Sequence, residues 1–203
     1  VTATGIDLTI NKLIAKDFII TDVARVQTLD AMNELRDLAF FSIMKKMQSL
    51  LIDAIVPSAS APDHAIAYDS GTTLALADIL EAKELLDGSD VEDDGSRCMV
   101  LGSAQWNDIF NISGLTSRDF VDGASMQTGT LPGRVLGFMP KMTTEAGTTS
   151  YFFHPLFMLA AVQRDLQVNA YDQGGQGLRS MRINTSILMG YVQASNLRVV
   201  TVG

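Results

Sequence analysis

The stretch DVARVQTLDAMNELRDLAFFSIMKKMQSLLIDAIV, residues 22–56, contains no glycine or proline, and Pro57 closes it. Leu29, Met32, Leu35, Ala39, Ile43, Met47, Leu50 and Ala54 recur at three- and four-residue steps, which predicts one long helix with an apolar face. Beyond Leu38 the apolar stripe broadens with Phe40, Phe41, Met44, Leu51 and Ile52. The front half therefore reads as amphipathic and the back half as buried nearly all round. At ~1.5 Å per residue the run makes a rod of roughly 50 Å. A compact globule of 203 residues would be only about 43 Å across. Either the helix breaks or the molecule is flat and elongated, and a flat plate exposes more apolar surface than a sphere, which points to partners.

Upstream of this helix, residues 1–20 alternate loosely (Ile6, Leu8, Ile10, Leu13, Phe18, Ile19, Ile20) and read as extended strands. Downstream, residues 57–72 form a Pro- and Ser-bearing connection. Thr72 or Thr73 is placed to cap a second helix from Leu74 to Leu86, with Leu76, Ile79, Leu80 and Leu86 inward and Asp78, Glu81 and Glu84 in water. Arg97–Leu101 reads as a short buried strand, after which Ser103 caps a helix to about Asn111 with Trp106, Ile109 and Phe110 inside. Residues 111–133 are loop-rich. Val135–Met139 and Tyr151–Phe153 read as strands, Pro155–Val162 as a short helix, and Leu166–Tyr171 as extended. Leu178–Val202 is strand-like in two pieces with a break at Ala194–Asn196. Helices early and strands late describe an α+β chain rather than alternating βαβ units.

Composition bounds the function. With 47% hydrophobic and 19% charged residues the chain is an ordered globular one and not a disordered tail. The net charge is −8, and between Asp78 and Asp94 eight acidic residues stand against Lys83 alone, so nearly all of that charge sits in one segment. No basic stripe is offered to a phosphate backbone, which argues against direct nucleic-acid binding. The longest uncharged run, Ala146–Gln163, has an apolar part too short for a membrane span, so the chain reads as soluble. No basic-then-apolar leader precedes the helix, which reads as no signal peptide.

Chemistry-bearing residues are sparse. The one cysteine, Cys98, and the two histidines, His64 and His154, supply no zinc-ligand cluster and no internal disulfide. A Cys98–His154 nucleophile–base pair would make a small hydrolase, but Cys98 lies in an apolar CMVL strand, where an inert buried thiol is expected. The acidic loop from Asp90 to Gly95 departs from the EF-hand pattern because Leu101 stands where a glutamate would be needed, so a solvated loop is the expectation. Gly174-Gly175-Gln176-Gly177 lacks dinucleotide-binding spacing, and Gly123-Ala124-Ser125-Met126-Gln127 is not a nucleophile elbow. Catalytic, cofactor-binding and metal sites are therefore all expected to be absent, and the chain is read as a non-enzyme.

Four segments, in this order, carry a resemblance: the helix opening Asp22-Val23-Ala24-Arg25-Val26-Gln27, then Ala82-Lys83-Glu84-Leu85-Leu86-Asp87, then Cys98-Met99-Val100-Leu101-Gly102-Ser103-Ala104-Gln105-Trp106, then Gly133-Arg134-Val135-Leu136-Gly137-Phe138. With the closing strand Leu178–Val202, the chain resembles major capsid proteins of tailed bacteriophages with the Hong Kong ninety-seven coat fold. The resemblance implies a plate-like α+β subunit. Residues 20–59 and 164–203 would form a peripheral lobe with the spine helix, residues 60–163 an axial lobe, and residues 1–19 the return of an extended E-loop. It implies self-assembly through hexamers and pentamers into an icosahedral shell around double-stranded DNA, in a virion capsid assembled in the bacterial cytoplasm. Portal, scaffolding or decoration proteins would be further partners. Some relatives cross-link a loop lysine to a neighbour's asparagine; Lys12, Lys16 and Asn184 lie near the corresponding regions. The alternative of the same fold is an encapsulin-like nanocompartment shell around a cargo enzyme. A soluble oligomeric binding module is a third reading.

Overall fold

The computed structural model describes residues 5–21, 31–112, 115, 133–173 and 180–203. The chain divides into two compact units, one of Val1–Asp53 with Leu159–Val192, the other of Ala54–Met158 with Gln193–Gly203.

In the first unit, strand β1 (Lys12–Thr21) pairs antiparallel with β7 (Ser180–Gln193), Lys12 opposite Met189 and Thr21 opposite Ser180. β7 lies between β1 and β6 (Met158–Gln173) in a three-stranded sheet. Helix α1 (Ala31–Asp53) packs on it. Alternation along the strands puts Ile14 and its cross-strand partner Ile187 on one face with Met189, where they meet Ile43. Met47, Leu50, Leu51 and Tyr191 close this small core. The helix buries less than its sequence predicts. Ala39 and Ile43 are fully buried, but Phe40 and Phe41 are 48% and 65% exposed, and Leu38 and Met44 are exposed as well. A three-stranded sheet covers one side of a cylinder about 10 Å wide, and the broadened stripe extends beyond that side. The helix also ends at Asp53, three residues before Val56. The Gln193 carboxamide takes both backbone groups of Val56, accepting from its N–H at 2.8 Å and donating to its carbonyl at 2.6 Å, which removes them from helical pairing. The 23 residues of α1 span about 35 Å, and residues 22–30 of the predicted rod lie outside the described residues.

The second unit is built on a mixed five-stranded sheet in the order β2 (Ala65–Ile66), β8 (Val199–Val202), β5 (Ser150–Phe153), β3 (Cys98–Leu101), β4 (Met139–Met142). β3 runs parallel to β4 and antiparallel to β5, β5 antiparallel to β8, and β2 parallel to β8. Helices α2 (Leu76–Gly88) and α3 (Ser103–Asn111) flank it. Ile79, Ala82 and Leu86 from α2 join Met99, Leu101, Phe138, Phe152, Val200 and Val202 in the core. The Phe138 and Phe152 rings meet edge to face, 5.2 Å between centroids.

Several local expectations are corrected here. The cap of α2 is not Thr72 or Thr73. Asp78, fully buried, accepts hydrogen bonds from the Ala75 N–H at 2.7 Å and the Asp69 N–H at 2.9 Å, so it reaches back from the first turn to cap the helix start rather than standing in water. Leu80, expected inside, is exposed, and Ala82 takes the inward place. Gly102, not Ser103, is the N-cap of α3. Val135–Phe138 is a tight turn whose central residues Leu136 and Gly137 both have positive φ, and the strand follows at Met139. The helix predicted for Pro155–Val162 is a single 3-10 turn, Pro155–Phe157, after which the chain enters β6. The break predicted at Ala194–Asn196 separates β7 from β8.

Gly102 is required by close approach, because a Cβ there would run into the Gly147 carbonyl oxygen and lie 2.6 Å from Gln105 Oε1. Gly102→Ala is expected to lower unfolding stability by about 1–3 kcal/mol in urea titrations. Gly133→Ala, which meets nothing within 4 Å, should change it by less than about 1 kcal/mol.

Candidate functional site

The charge-rich segment from the end of α2 to β3 is the most densely bonded part of the second unit. Arg97, 1% exposed, is its hub. Its Nη1 donates to Asp87 Oδ1 at 2.6 Å, Nη2 to the Val91 carbonyl at 2.5 Å and Nε to the Glu92 carbonyl at 3.1 Å. Lys83 pairs with Asp93 at 3.2 Å and with Asp87 at 3.5 Å, and Arg198 pairs with Glu92 at 3.4 Å. Most of these acids therefore have cationic partners, and the loop is not the freely solvated stretch its sequence suggests. Burial pushes the Asp87 carboxyl up, but the Arg97 hydrogen bond and charge overcome it and hold the group below the usual range. Glu92 is lowered by its own backbone N–H and by Arg198. Asp94 accepts from the Ser96 hydroxyl at 2.6 Å and the Ser96 N–H at 2.8 Å, which hold its carboxyl down to about 2.

Cys98 and His154 are not brought together as a nucleophile and base. The thiol donates to the Ser96 carbonyl at 3.3 Å, and burial pushes its pKa up. The His154 ring instead meets Ser96 Oγ at 2.9 Å with Nε2, while its Nδ1 accepts from the Leu156 N–H at 3.3 Å. That acceptor role makes Nε2 the protonated nitrogen, and the Ser96 hydroxyl gives its hydrogen to Asp94. A serine nucleophile needs the reverse, a bare imidazole nitrogen facing the hydroxyl. The order of the three groups is thus wrong for acyl transfer. Sequence reasoning missed this cluster, although Asp94-Gly95-Ser96 is a recognisable side-chain-to-backbone turn.

In the first unit Asn184 donates to Asp17, and Arg182 forms an ion pair with the same carboxylate. The Arg182 and Asn184 hydrogen bonds hold Asp17 below its ordinary value. Lys16 lies one residue along β1, over the Phe18 ring at 5.6 Å, and Lys12 pairs with Met189 in the ladder. Lys12, Lys16 and Asn184 thus stand at different positions of one ladder, and the carboxylate beside Asn184 is held ionised by Arg182 and Asn184. Among the described residues, no three His, Cys, Asp or Glu side chains gather as a metal-holding group, and no helix is long and apolar enough to cross a membrane. A recess of about 430 Å³ is lined by Ser70, Thr73, Leu74, Asp108 and Asn111. Asp108 there already accepts the Leu74 N–H at 3.0 Å. Gly174–Gly177 and Gly123–Gln127 lie outside the described residues.

Two outcomes test this wiring. Arg97→Met leaves the Val91 carbonyl buried without its donor, and is expected to cost about 3–5 kcal/mol of unfolding stability, with Arg97→Lys recovering only part. Asp94 has a depressed pKa in the folded state, so its contribution is fully present above about pH 4 and is lost as pH falls through about 2. Asp94→Asn should flatten that acid limb in a urea-midpoint titration against pH.

The comparisons with known proteins point to a structural role. The sequence model of the phage capsid protein family matches residues 3–201. A search of curated proteins finds no match. Among solved structures, one from Mycobacterium phage Che8 superposes with a TM-score of 0.76 at 23% identity, covering 98% of this chain and 73% of that one. The capsid of cyanophage P-SCSP1u gives 0.73 at 10% identity, covering 100% and 77%. The virus-like particle of Pyrococcus furiosus gives 0.57 at 11% identity, covering 95% and 75%. The order of elements read from the sequence, the sheet-and-helix architecture and the family match converge: this chain belongs to the phage capsid protein family and is a major capsid protein with the Hong Kong ninety-seven-like coat fold.

Proposed function

We propose that copies of this chain assemble through hexamers and pentamers into an icosahedral shell enclosing double-stranded DNA, built in the bacterial cytoplasm and retained in the virion. The observation that carries this reading is the family match across residues 3–201. In this proposal the unit with α1 serves as the peripheral lobe and the unit with the five-stranded sheet as the axial lobe around the capsomer axes, so that residues 54–59 and 193–203 pass from the peripheral lobe expected from sequence to the axial one, and residues 159–163 pass the other way. Residues 1–19 are the returning arm of an E-loop. Portal, scaffolding and decoration proteins are further partners of such a shell.

Two physical features support it. The subunit leaves Leu38, Phe40, Phe41 and Met44 on α1 and Leu13 and Ile19 on β1 exposed, an apolar surface of the kind that other chains cover. Charge is also segregated. The first unit carries nine basic and nine acidic side chains, and the second carries six basic against fourteen acidic. Neither carries a net positive charge that would hold enclosed DNA. The nanocompartment alternative rests on likeness of fold alone, whereas the family match is specific to phage capsid proteins.

Sedimentation velocity of the purified full chain checks the assembly. The reading expects a fast boundary of many copies, with capsomer-sized intermediates at high salt. A single boundary at the 21.9 kDa of one chain, at every salt concentration and pH, would contradict it.

A further inference from the structure

Two buried histidines of the second unit are wired in opposite senses. His64 Nδ1 lies 3.0 Å from the Val199 carbonyl and Nε2 lies 3.2 Å from Ser89 Oγ. A carbonyl only accepts, so neutral His64 carries its proton on Nδ1, and Nε2 faces a hydroxyl able to accept or donate. A second proton leaves both bonds in place. At His154, 3% exposed, the pattern is inverted. Nδ1 faces a backbone N–H, which only donates, and Nε2–H points to Ser96 Oγ.

The Nδ1 lone pair of His154 is the cap of the turn Pro155–Phe157. Pro155 has no N–H, so the Leu156 N–H is the first donor the turn must satisfy. Behind it, the Phe157 N–H donates to the His154 carbonyl at 2.9 Å. The Phe157 carbonyl accepts from Ala194 at 2.7 Å and Ser195 at 3.2 Å. One imidazole lone pair therefore fixes a turn that in turn fixes the segment leaving β7.

We propose that His154 is an acid-operated release for this turn: a proton taken up at Nδ1 replaces the acceptor of Leu156 with a second donor, the cap is lost, and the imidazolium reorients toward Asp94. The Asp94 carboxylate already lies 3.5 Å from Nε2. It stays ionised wherever histidines titrate, because Ser96 holds it low. The other charges near the ring are Glu92, which His154 also influences, and Arg198, which pairs with Glu92 and whose carbonyl accepts the His154 N–H at 3.1 Å. Cys98, in the adjoining strand opposite Phe153, is a neutral thiol. The closed turn binds one proton fewer than the open one, so falling pH favours opening. The device belongs to this unit's own hydrogen bonding and stands apart from the shell reading.

The test combines 15N NMR of the histidine rings in the full chain with hydrogen-exchange mass spectrometry from about pH 8 to about pH 5, corrected for intrinsic exchange. At the upper end His154 should show a bare Nδ1 and His64 a protonated one. Protection of the peptide spanning residues 154–158 should then fall by at least about tenfold with the His154 midpoint, while strand β8 keeps its protection. His154→Asn, whose carboxamide oxygen accepts from Leu156 without titrating, should hold the turn at every pH. A protonated Nδ1 on His154 at the upper end overturns the proposal, as does the same loss of protection in His154→Asn. If that variant fails to fold, the wild-type titration still decides: a fall in protection that does not follow the ring midpoint is equally contrary.

Discussion

Among the described residues of its own unit, helix α1 lies on a sheet three strands wide. Among the described residues, its broad apolar stripe is buried along the line of Ala39 and Ile43, with Met47, Leu50 and Leu51 beside it, while Phe41 remains 65% exposed. A sequence selected for a solitary globule would place charges at those positions. Each half-exposed phenylalanine keeps apolar area in water at roughly 25 cal/mol per Å². In the proposed shell, other copies of the chain cover that area.

The second unit completes its sheet with the last residues of the chain. Val199, Val200 and Val202 of β8 are fully buried between β2 and β5, so this core closes only when the C-terminal segment is in place. Its helices and loops are held by buried polar groups with dedicated partners: Asp78 on two backbone N–H groups, Arg97 on two carbonyls and a carboxylate, Tyr68 on the Thr148 carbonyl at 2.7 Å. Such groups add little net stability when paired and are costly to orphan, so they fix one arrangement of the acidic segment. The same bonding ties Cys98 to the Ser96 carbonyl and Ser96 to Asp94, so Cys98 and His154 do not meet as a nucleophile and base.

Local signals in the sequence were readable where the physics is local. The glycine- and proline-free run revealed α1, the helix ending at Asn111 is present with its cap one residue earlier than expected, at Gly102, and the polar break near Asn196 divides β7 from β8. Elsewhere distant residues decided. Pro155 is a valid helix opener, yet the chain after Phe157 joins a sheet whose other members start at Lys12 and Ser180. Asp78 looked like a solvated helix acid because its second donor, the Asp69 N–H, lies nine residues back. Ser96 and His154 are 58 residues apart, so no spacing pattern joins them. The breadth of the apolar stripe on α1 was legible, but its meaning was inverted: it marks exposed surface of the subunit and not a deeper core.

A cryo-electron microscopy reconstruction of particles formed by the full chain tests this account most directly. It should show a closed icosahedral shell of coat-fold subunits in which the exposed apolar side chains of α1 and β1 are covered at contacts with other chains. A small closed ring, or a shell in which Leu38, Phe40, Phe41 and Met44 all remain bare, would contradict it.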